Sequence, residues 1–292
     1  MKIGTEYVST PLKDYSVKIH WRNTMNYAAA INDNNPYYFD DERNHGIVAP
    51  PMYAVAITWP LIENIRDFMI GKKFSNRLIT TMVHYSEHLA FHRLIKPGDD
   101  LTIKGNIVAI LPHRSGTHII IRLNALDQNN MLVFTEHIGG LLRGVECVGK
   151  AKGEENLPII PQEKANSNSL WKENVYIDKL QTFIYDGCTN IFFPIHTSKK
   201  FAHMVGLPNI ILQGTATLAC AVKEITNKEA KRNPEFIREI ACNFTDMVLP
   251  GTEIEIHLKT RSKIEGDLNL FFEVYNNEQK KAIRNGYIKV RE

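Results

Sequence analysis

Apolar positions along the chain switch between two periods, and they do so twice in the same order. Val55, Trp59, Ile62 and Ile65 fall on one helical stripe after Pro51, and Leu218, Val222 and Ile225 repeat it after Gly214. The period then changes to two. Val83, Tyr85, Leu89 and Phe91 alternate with His84, Ser86, His88 and His92, which predicts a strand. His84, His88 and His92 also have i,i+4 spacing, but the alternation makes them ordinary strand histidines and not a metal set. A hairpin follows over Thr117–Leu126 and Met131–Ile138, turning at 127–130. A second one runs over Leu268–Tyr275 and Ala282–Val290, turning at 276–279. Tyr27–Ile31 and Lys179–Tyr185 predict a shorter helix early in each half. Each half thus reads helix, helix, then antiparallel strands. The fold class is α+β, with a long helix wrapped by an antiparallel sheet as the way to bury that pattern.

The duplication extends to short strings. Asn35-Pro36, Gly46-Ile47-Val48-Ala49-Pro50-Pro51 and Pro97-Gly98-Asp99 are answered by Pro194-Ile195-His196, Asn209-Ile210-Ile211-Leu212-Gln213-Gly214 and Pro250-Gly251-Thr252. Between the halves the composition turns polar, with Gly149-Lys-Ala-Lys-Gly-Glu-Glu-Asn and Gln162-Glu-Lys-Ala-Asn-Ser-Asn-Ser169. The domain expectation is 1–148, a linker over 149–170, and 171–292.

Bulk composition narrows the classes of function. The 292 residues are 43% hydrophobic, enough for a sizeable core. The net charge of +3 gives no reason to expect nucleic acid as a partner. The apolar stretch 54–70 contains Glu63, Arg66 and Asp67, so no membrane insertion is expected. Cys147, Cys188, Cys220 and Cys242 form no Cys-x-x-Cys pair, and they read as free thiols in a reducing compartment, without zinc. With no apolar signal core at the N-terminus, the expected location is the cytoplasm.

The ordered strings resemble the MaoC-like dehydratase family, whose members include (R)-specific enoyl-CoA hydratases (hydratase 2). The resemblance implies a double hotdog fold. The first half resembles the degenerate, acyl-chain-side hotdog, and the second the catalytic one. The family motif reads Asp, any residue, Asn-Pro, one residue, His. In the first half Asp33, Asn35 and Pro36 are present, but Tyr38 holds the histidine position. In the second half Pro194 and His196 are present, Phe193 replaces the asparagine, and Ile191 stands where the aspartate belongs.

Hydration of a 2-enoyl thioester needs a base for water, an acid for the α-carbon and a donor for the thioester oxygen. His196 is the candidate base. The resemblance places the oxyanion donor at Gly214, whose N–H opens a helix. Gln213 stands where many relatives have histidine and is a substrate-binding candidate. Asn190, one residue before the motif aspartate position, is the candidate for orienting the water. Asp186 is the alternative acid. Asp33 reads as structural, at a turn or cap. Met52, Tyr53, Trp59 and Phe68 are candidates to line an acyl tunnel.

The resemblance therefore implies an acyl-CoA hydratase or dehydratase. No cofactor is expected beyond coenzyme A or an acyl carrier protein as part of the substrate, and the assembly expected is a homodimer of double hotdogs. Two other readings stay open. One is a non-catalytic acyl-thioester binder or inactive partner subunit, in keeping with the incomplete motifs. The other is a hotdog thioesterase, which needs a carboxylate or a positioned water aimed at the thioester carbon.

Overall fold

A computed structural model describes residues 1–161, 168–264 and 266–291. Part of the expected linker, 162–167, lies outside the described residues. The first half contains β1 (Lys2–Gly4), β2 (Tyr15–Lys18), α1 (Trp21–Ala30), α2 (Pro36–Phe39), α3 (Tyr53–Glu63), α4 (Ile65–Phe68) and α5 (Asn76–Ile79). It continues through β3 (Met82–Phe91), β4 (Asp100–His113), β5 (Gly116–Leu126), β6 (Leu132–Arg143) and β7 (Glu146–Val148). The second half contains β8 (Trp171–Ile177), α6 (Gln181–Thr189), α7 (Lys199–Met204) and α8 (Gly214–Glu229). It ends with β9 (Ile237–Phe244), β10 (Thr252–Ile264), β11 (Asp267–Tyr275) and β12 (Lys281–Val290).

Ten strands form one sheet in the order β2-β4-β5-β6-β3-β9-β12-β11-β10-β8. Read from either outer edge, each half orders its strands first, third, fourth, fifth, second. The halves join where the two equivalent second strands pair antiparallel, with Glu87 opposite Cys242 and Leu89 opposite Ile240. Such a seam is what two copies related by a two-fold axis require, and it makes the sheet continuous across the molecule.

The helices cover one face. Val55, Ile57 and Leu61 of α3 and Leu218, Val222 and Ile225 of α8 share a single core with Leu89, Phe134, Ile240 and Leu270 of the strands. The first-half stripe is not one helix. α3 passes Pro60, which has no N–H to give to Ala56, and ends at Asn64, whose backbone N–H and Nδ2 both donate to the Pro60 carbonyl, at 3.3 and 3.0 Å. Ile65 therefore belongs to α4. Two elements lie on the axis as well. Tyr27 of α1 and Tyr185 of α6 stand nine residues before Pro36 and Pro194 respectively, and their hydroxyls meet at 3.0 Å, both fully buried. Among the described residues no helix is long and apolar enough to cross a membrane.

Candidate functional site

α6 ends at Asn190, which takes a left-handed conformation (φ 58°) and donates its N–H to the Asp186 carbonyl. That conformation turns the chain sharply, and asparagine tolerates it better than most residues. Ile191 then drops into the core, 3% exposed. The motif aspartate position is thus an apolar anchor. Pro194–His196 forms one 3-10 turn, with proline pre-set for its start. The turn is tied to the strand-like segment before α8, because Ile211 donates its N–H to the Ile195 carbonyl at 3.3 Å.

The His196 ring completes this tie. Its Nδ1 lies 2.8 Å from the Ile211 carbonyl oxygen. A carbonyl only accepts, so Nδ1 carries the proton and Nε2 is left as a bare acceptor. Burial pushes the imidazole down to about 4, against a smaller opposing effect of the Ile211 bond, so the ring is neutral around pH 7. Ile211 lies three residues before Gly214, so the histidine is anchored at the head of α8.

The head of α8 offers donors. The Gln213 carbonyl accepts from the Ala216 and Thr217 N–H groups, while the Gln213 side chain does not cap the helix. The N–H groups of Gly214 and Thr215 precede those two and carry the positive end of the helix dipole. Glycine at 214 also has a packing reason. A Cβ there would stand 3.0 Å from Cδ1 of Phe244. Thr215 accepts from the Tyr185 hydroxyl at 3.1 Å, so Tyr27 donates to Tyr185 and Tyr185 to Thr215, linking the axis to the helix start.

Gln213 is 1% exposed and reaches back to α6, its Nε2 donating to the Thr182 carbonyl at 3.2 Å. Its Oε1, the Thr182 hydroxyl and Oδ1 of Asp186 are buried without a protein hydrogen-bond partner. Thr182 and Asp186 are one turn apart on one face of α6. Burial raises the Asp186 carboxyl above its ordinary value. Partnerless buried polar atoms are uncommon, and three of them at neighbouring positions mark a place suited to water or a polar group of a ligand. Asn190 differs: its side chain is exposed.

The first-half motif has become a joint. Asp33 accepts the Asn35 N–H at 3.1 Å, closing a tight turn, and it is Asn35 that caps α2 by accepting from Tyr37. The Asn35 Nδ2 donates to the Arg232 carbonyl of the other half at 2.8 Å. Tyr38, at the histidine position, is 2% exposed and its hydroxyl is pushed well up by burial. Of the tunnel candidates, Met52 and Tyr53 are buried and Phe68 sits edge-on to Tyr15. Trp59 spans the halves, its Nε1 donating to the Phe192 carbonyl at 3.3 Å.

One feature had no sequence signal. Glu87 of β3 and Glu136 of β6 are both fully inside, and burial holds both carboxyls well above the ordinary range. His84 Nε2 lies 3.1 Å from Glu87 Oε2, and burial lowers the His84 imidazole to about 4, so the pair is neutral. The alternation that identifies β3 assigns Glu87 to the inner face, yet nothing in the sequence pairs it with Glu136. Among the described residues no group of three His, Cys, Asp or Glu side chains is arranged to hold a metal ion.

The halves match two family models. Residues 168–282 match the MaoC like domain, and residues 6–136 match the FAS1-like, dehydratase domain region. A peroxisomal enoyl-CoA hydratase 2 of Arabidopsis thaliana is 32% identical over 98 residues, 34% of this chain and 30% of the relative. The chain therefore spans under a third of that relative's length. A MaoC-like dehydratase from Phytophthora capsici has a similar structure, with a TM-score of 0.84 over 98% of this chain and 97% of the other, at 18% identity. A Mycobacterium tuberculosis protein with a double hotdog fold superposes at 0.59 over 95% and 94%, at 14% identity. The second half therefore contains a match to the MaoC like domain and the first to a dehydratase region, and the chain has the double hotdog architecture of these structural neighbours.

Proposed function

We propose that the protein adds water to, or removes it from, the 2,3-bond of an acyl thioester, with the second half as the reactive half. The observation that carries this reading is His196. Its Nδ1 is committed to a carbonyl and its ring is neutral, so Nε2 is ready to take a proton from water. In the hydration direction the water oxygen bonds to the β-carbon as its proton passes to Nε2. The electron pair of the C=C bond moves toward the carbonyl, and negative charge builds on the thioester oxygen. The Gly214 N–H at the head of α8 receives that oxygen. A proton is then delivered to the α-carbon.

Asp186 is the acid in this scheme. It has a buried partnerless oxygen and a raised pKa, so it can hold a proton nearer to neutral pH than an exposed carboxyl. Asn190 has no acidic proton and faces solvent. Gln213 and Thr182 would orient the water or the thioester through their partnerless oxygens. The similarity over 98 residues to an enoyl-CoA hydratase 2 supports the same chemistry.

The test is turnover of crotonyl-CoA and longer 2-enoyl-CoAs, followed as loss of the conjugated thioester absorbance. Hydration by the wild type is expected. Binding of acyl thioesters with no turnover of any would replace the reading with the non-catalytic one. Release of free thiol from saturated acyl-CoA would replace it with a thioesterase.

A further inference from the structure

The face of the sheet turned away from the helices has a buried polar region of its own. Alternation sends Ile119, Ile121, Ile240 and Leu270 to the helix-side core and Ile120, Ala241 and Phe271 to the other face. The chain after β7 covers that other face. Leu157 packs on Ile120, and Ile160 packs on Ala241, Phe271 and Tyr287. Both also line a cavity of about 360 Å³. Its floor is polar, with Ser86, His88, His118, His137, Asn243 and Asn285. His88 is 6% exposed, and its Nε2 lies 3.4 Å from Glu239 Oε2. A carboxylate only accepts, so the ring proton sits on Nε2. In the neutral ring Nδ1, buried and without a protein partner, is then a bare acceptor. Nδ1 of His137 is buried and partnerless as well, with the two rings 5.6 Å apart. Burial pushes the His137 and His118 imidazoles down to about 4, so both are neutral near pH 7. Ser86 Oγ and His118 Nε2 meet at 3.0 Å over Gly139 of β6, where a Cβ would stand 2.0 Å from the oxygen and 2.3 Å from the nitrogen. Glycine weakens a strand interior, and here it is what lets side chains of β3 and β5 touch across β6.

We propose that this cavity is a second binding site, for an uncharged polyol that turns hydroxyls to His88 and His137 and a C–H face to Leu157 and Ile160. Charge sets the first part of this choice. Among the described residues no lysine or arginine lines the cavity. Arg122, opposite His137 in the sheet, turns its Nη2 to Asn106 Oδ1 at 3.4 Å. Of the two acids at the cavity, burial holds the Glu87 carboxyl well up, and Glu273 accepts from Lys281 and the Tyr275 hydroxyl. A charged ligand would lose water there and meet no free counter-charge. The polar floor sets the second part. Bare ring nitrogens require a donor, while the Ser86 hydroxyl and the amides of Asn243 and Asn285 use both donors and acceptors, and a hydroxyl is both. The volume is at the lower end of the roughly 300–1,000 Å³ of ligand cavities, which suits a single sugar-sized ring. The site lies across the sheet from α8, so it stands whether or not His196 is the reactive base. Water is the competing occupant, because partnerless polar atoms also hold water.

The experiment follows the ring nitrogens of the full chain, labelled with ¹⁵N-histidine, by NMR. The protein is titrated with myo-inositol, with glucose and, separately, with orthophosphate. His88→Leu and His137→Leu identify the two ring signals. In the wild type both rings should shift and saturate with a polyol and stay unmoved with orthophosphate. Each leucine variant should raise Kd for the polyol by about tenfold, the loss of one hydrogen-bonding partner. Ile160→Trp fills the cavity from its roof and leaves the floor intact. It should abolish the shifts, and it keeps the test open where a leucine variant does not fold. No saturable shift with either polyol leaves the cavity to water and overturns the proposal. Saturation of the same rings by orthophosphate overturns the uncharged class. Polyol shifts that survive in all three variants place the binding elsewhere and overturn the assignment of the site.

Discussion

Replacing His196 with glutamine separates the ring's structural bond from its chemistry. The glutamine amide can donate to the Ile211 carbonyl, as Nδ1 does at 2.8 Å, but it has no basic nitrogen. Stability should therefore fall by no more than about 1 kcal/mol, the net worth of one hydrogen bond made with poorer geometry. Turnover should fall by about 10²–10⁴-fold, the usual contribution of a positioned general base. The pH profile of the wild type adds a second constraint. A histidine titrating near 6.5 would be only about 3% in its basic form at pH 5, so the rate would drop about thirtyfold from pH 8. With the imidazole held at about 4 by burial, the basic form still dominates at pH 5. The rate of crotonyl-CoA hydration should then vary less than about twofold between pH 5 and 8 from this group. Initial rates on the wild type and the glutamine variant, with circular dichroism to confirm folding, measure both. A folded glutamine variant within threefold of wild type would refute the assignment of the base, and a wild-type rate that titrates near 6.5 would refute the burial argument.

Three further outcomes follow from the same geometry. Asp186→Asn should lower turnover by about 10²-fold or more while Asn190→Ala stays within a few-fold, as of these two only Asp186 has an acidic, buried, partnerless oxygen; the reverse order in steady-state kinetics would return the role to Asn190. Gly214→Ala should cost stability and rate together, because its methyl would stand 3.0 Å from the Phe244 ring, and Phe244→Leu in the same chain should recover melting temperature more than rate. Glu136→Gln should stabilise the protein increasingly as pH rises. The folded carboxyl is raised well above its unfolded value, so above about 4.5 the unfolded chain binds fewer protons than the folded one, and folding loses up to about 1.4 kcal/mol per pH unit. Urea denaturation at pH 5 and pH 8 reads the difference, and equal gains at both would show that Glu136 is ionised in the folded protein.

The fold was legible because its burial pattern is periodic. The switch from the α3 and α8 stripes to alternating strands appears in the residues themselves, and so does its repetition, whereas the join of β3 to β9 is seen only in the sheet. Sequence reasoning missed β9, whose buried residues Ile240, Ala241 and Cys242 run together and do not alternate, and the short edge strands. β2 and β8 lie at the outer edges of the sheet with every second residue exposed, and β1 pairs with β7 over three residues only. Their alternation is short and largely polar, so nothing marks them until a neighbour supplies the hydrogen bonds. At the site, His196 and Gly214 stood out as residues at motif positions. The tautomer of His196 did not, because it depends on Ile211, fifteen residues away, and on a turn that brings them together. The buried oxygen of Asp186 was equally hidden, because α6 exposes some of its faces and covers others.

The two halves share one backbone plan and have diverged in opposite senses at the same points. At the motif turn of the first half, polar side chains satisfy backbone: Asp33 closes the turn, Asn35 caps α2, and the Asn35 amide reaches across to Arg232. These bonds commit Asp33 Oδ1 and both polar atoms of the Asn35 amide to the fold, and Tyr38 fills the histidine position with a buried ring. The second half has lost the aspartate and asparagine of the motif to Ile191 and Phe193, one buried and one exposed. Its turn is held instead by the His196–Ile211 bond, which consumes one ring nitrogen and frees the other. The second half also has glycine at the head of its long helix, while α3 opens at Tyr53, whose N–H is already given to the Pro50 carbonyl at 2.9 Å, and the preceding Pro50 and Pro51 have no N–H to offer an oxyanion. The asymmetry is the physical reason for proposing the chemistry in the second half. Only there do a bare basic nitrogen and the N–H groups opening a long helix come together on one short segment, residues 196–214.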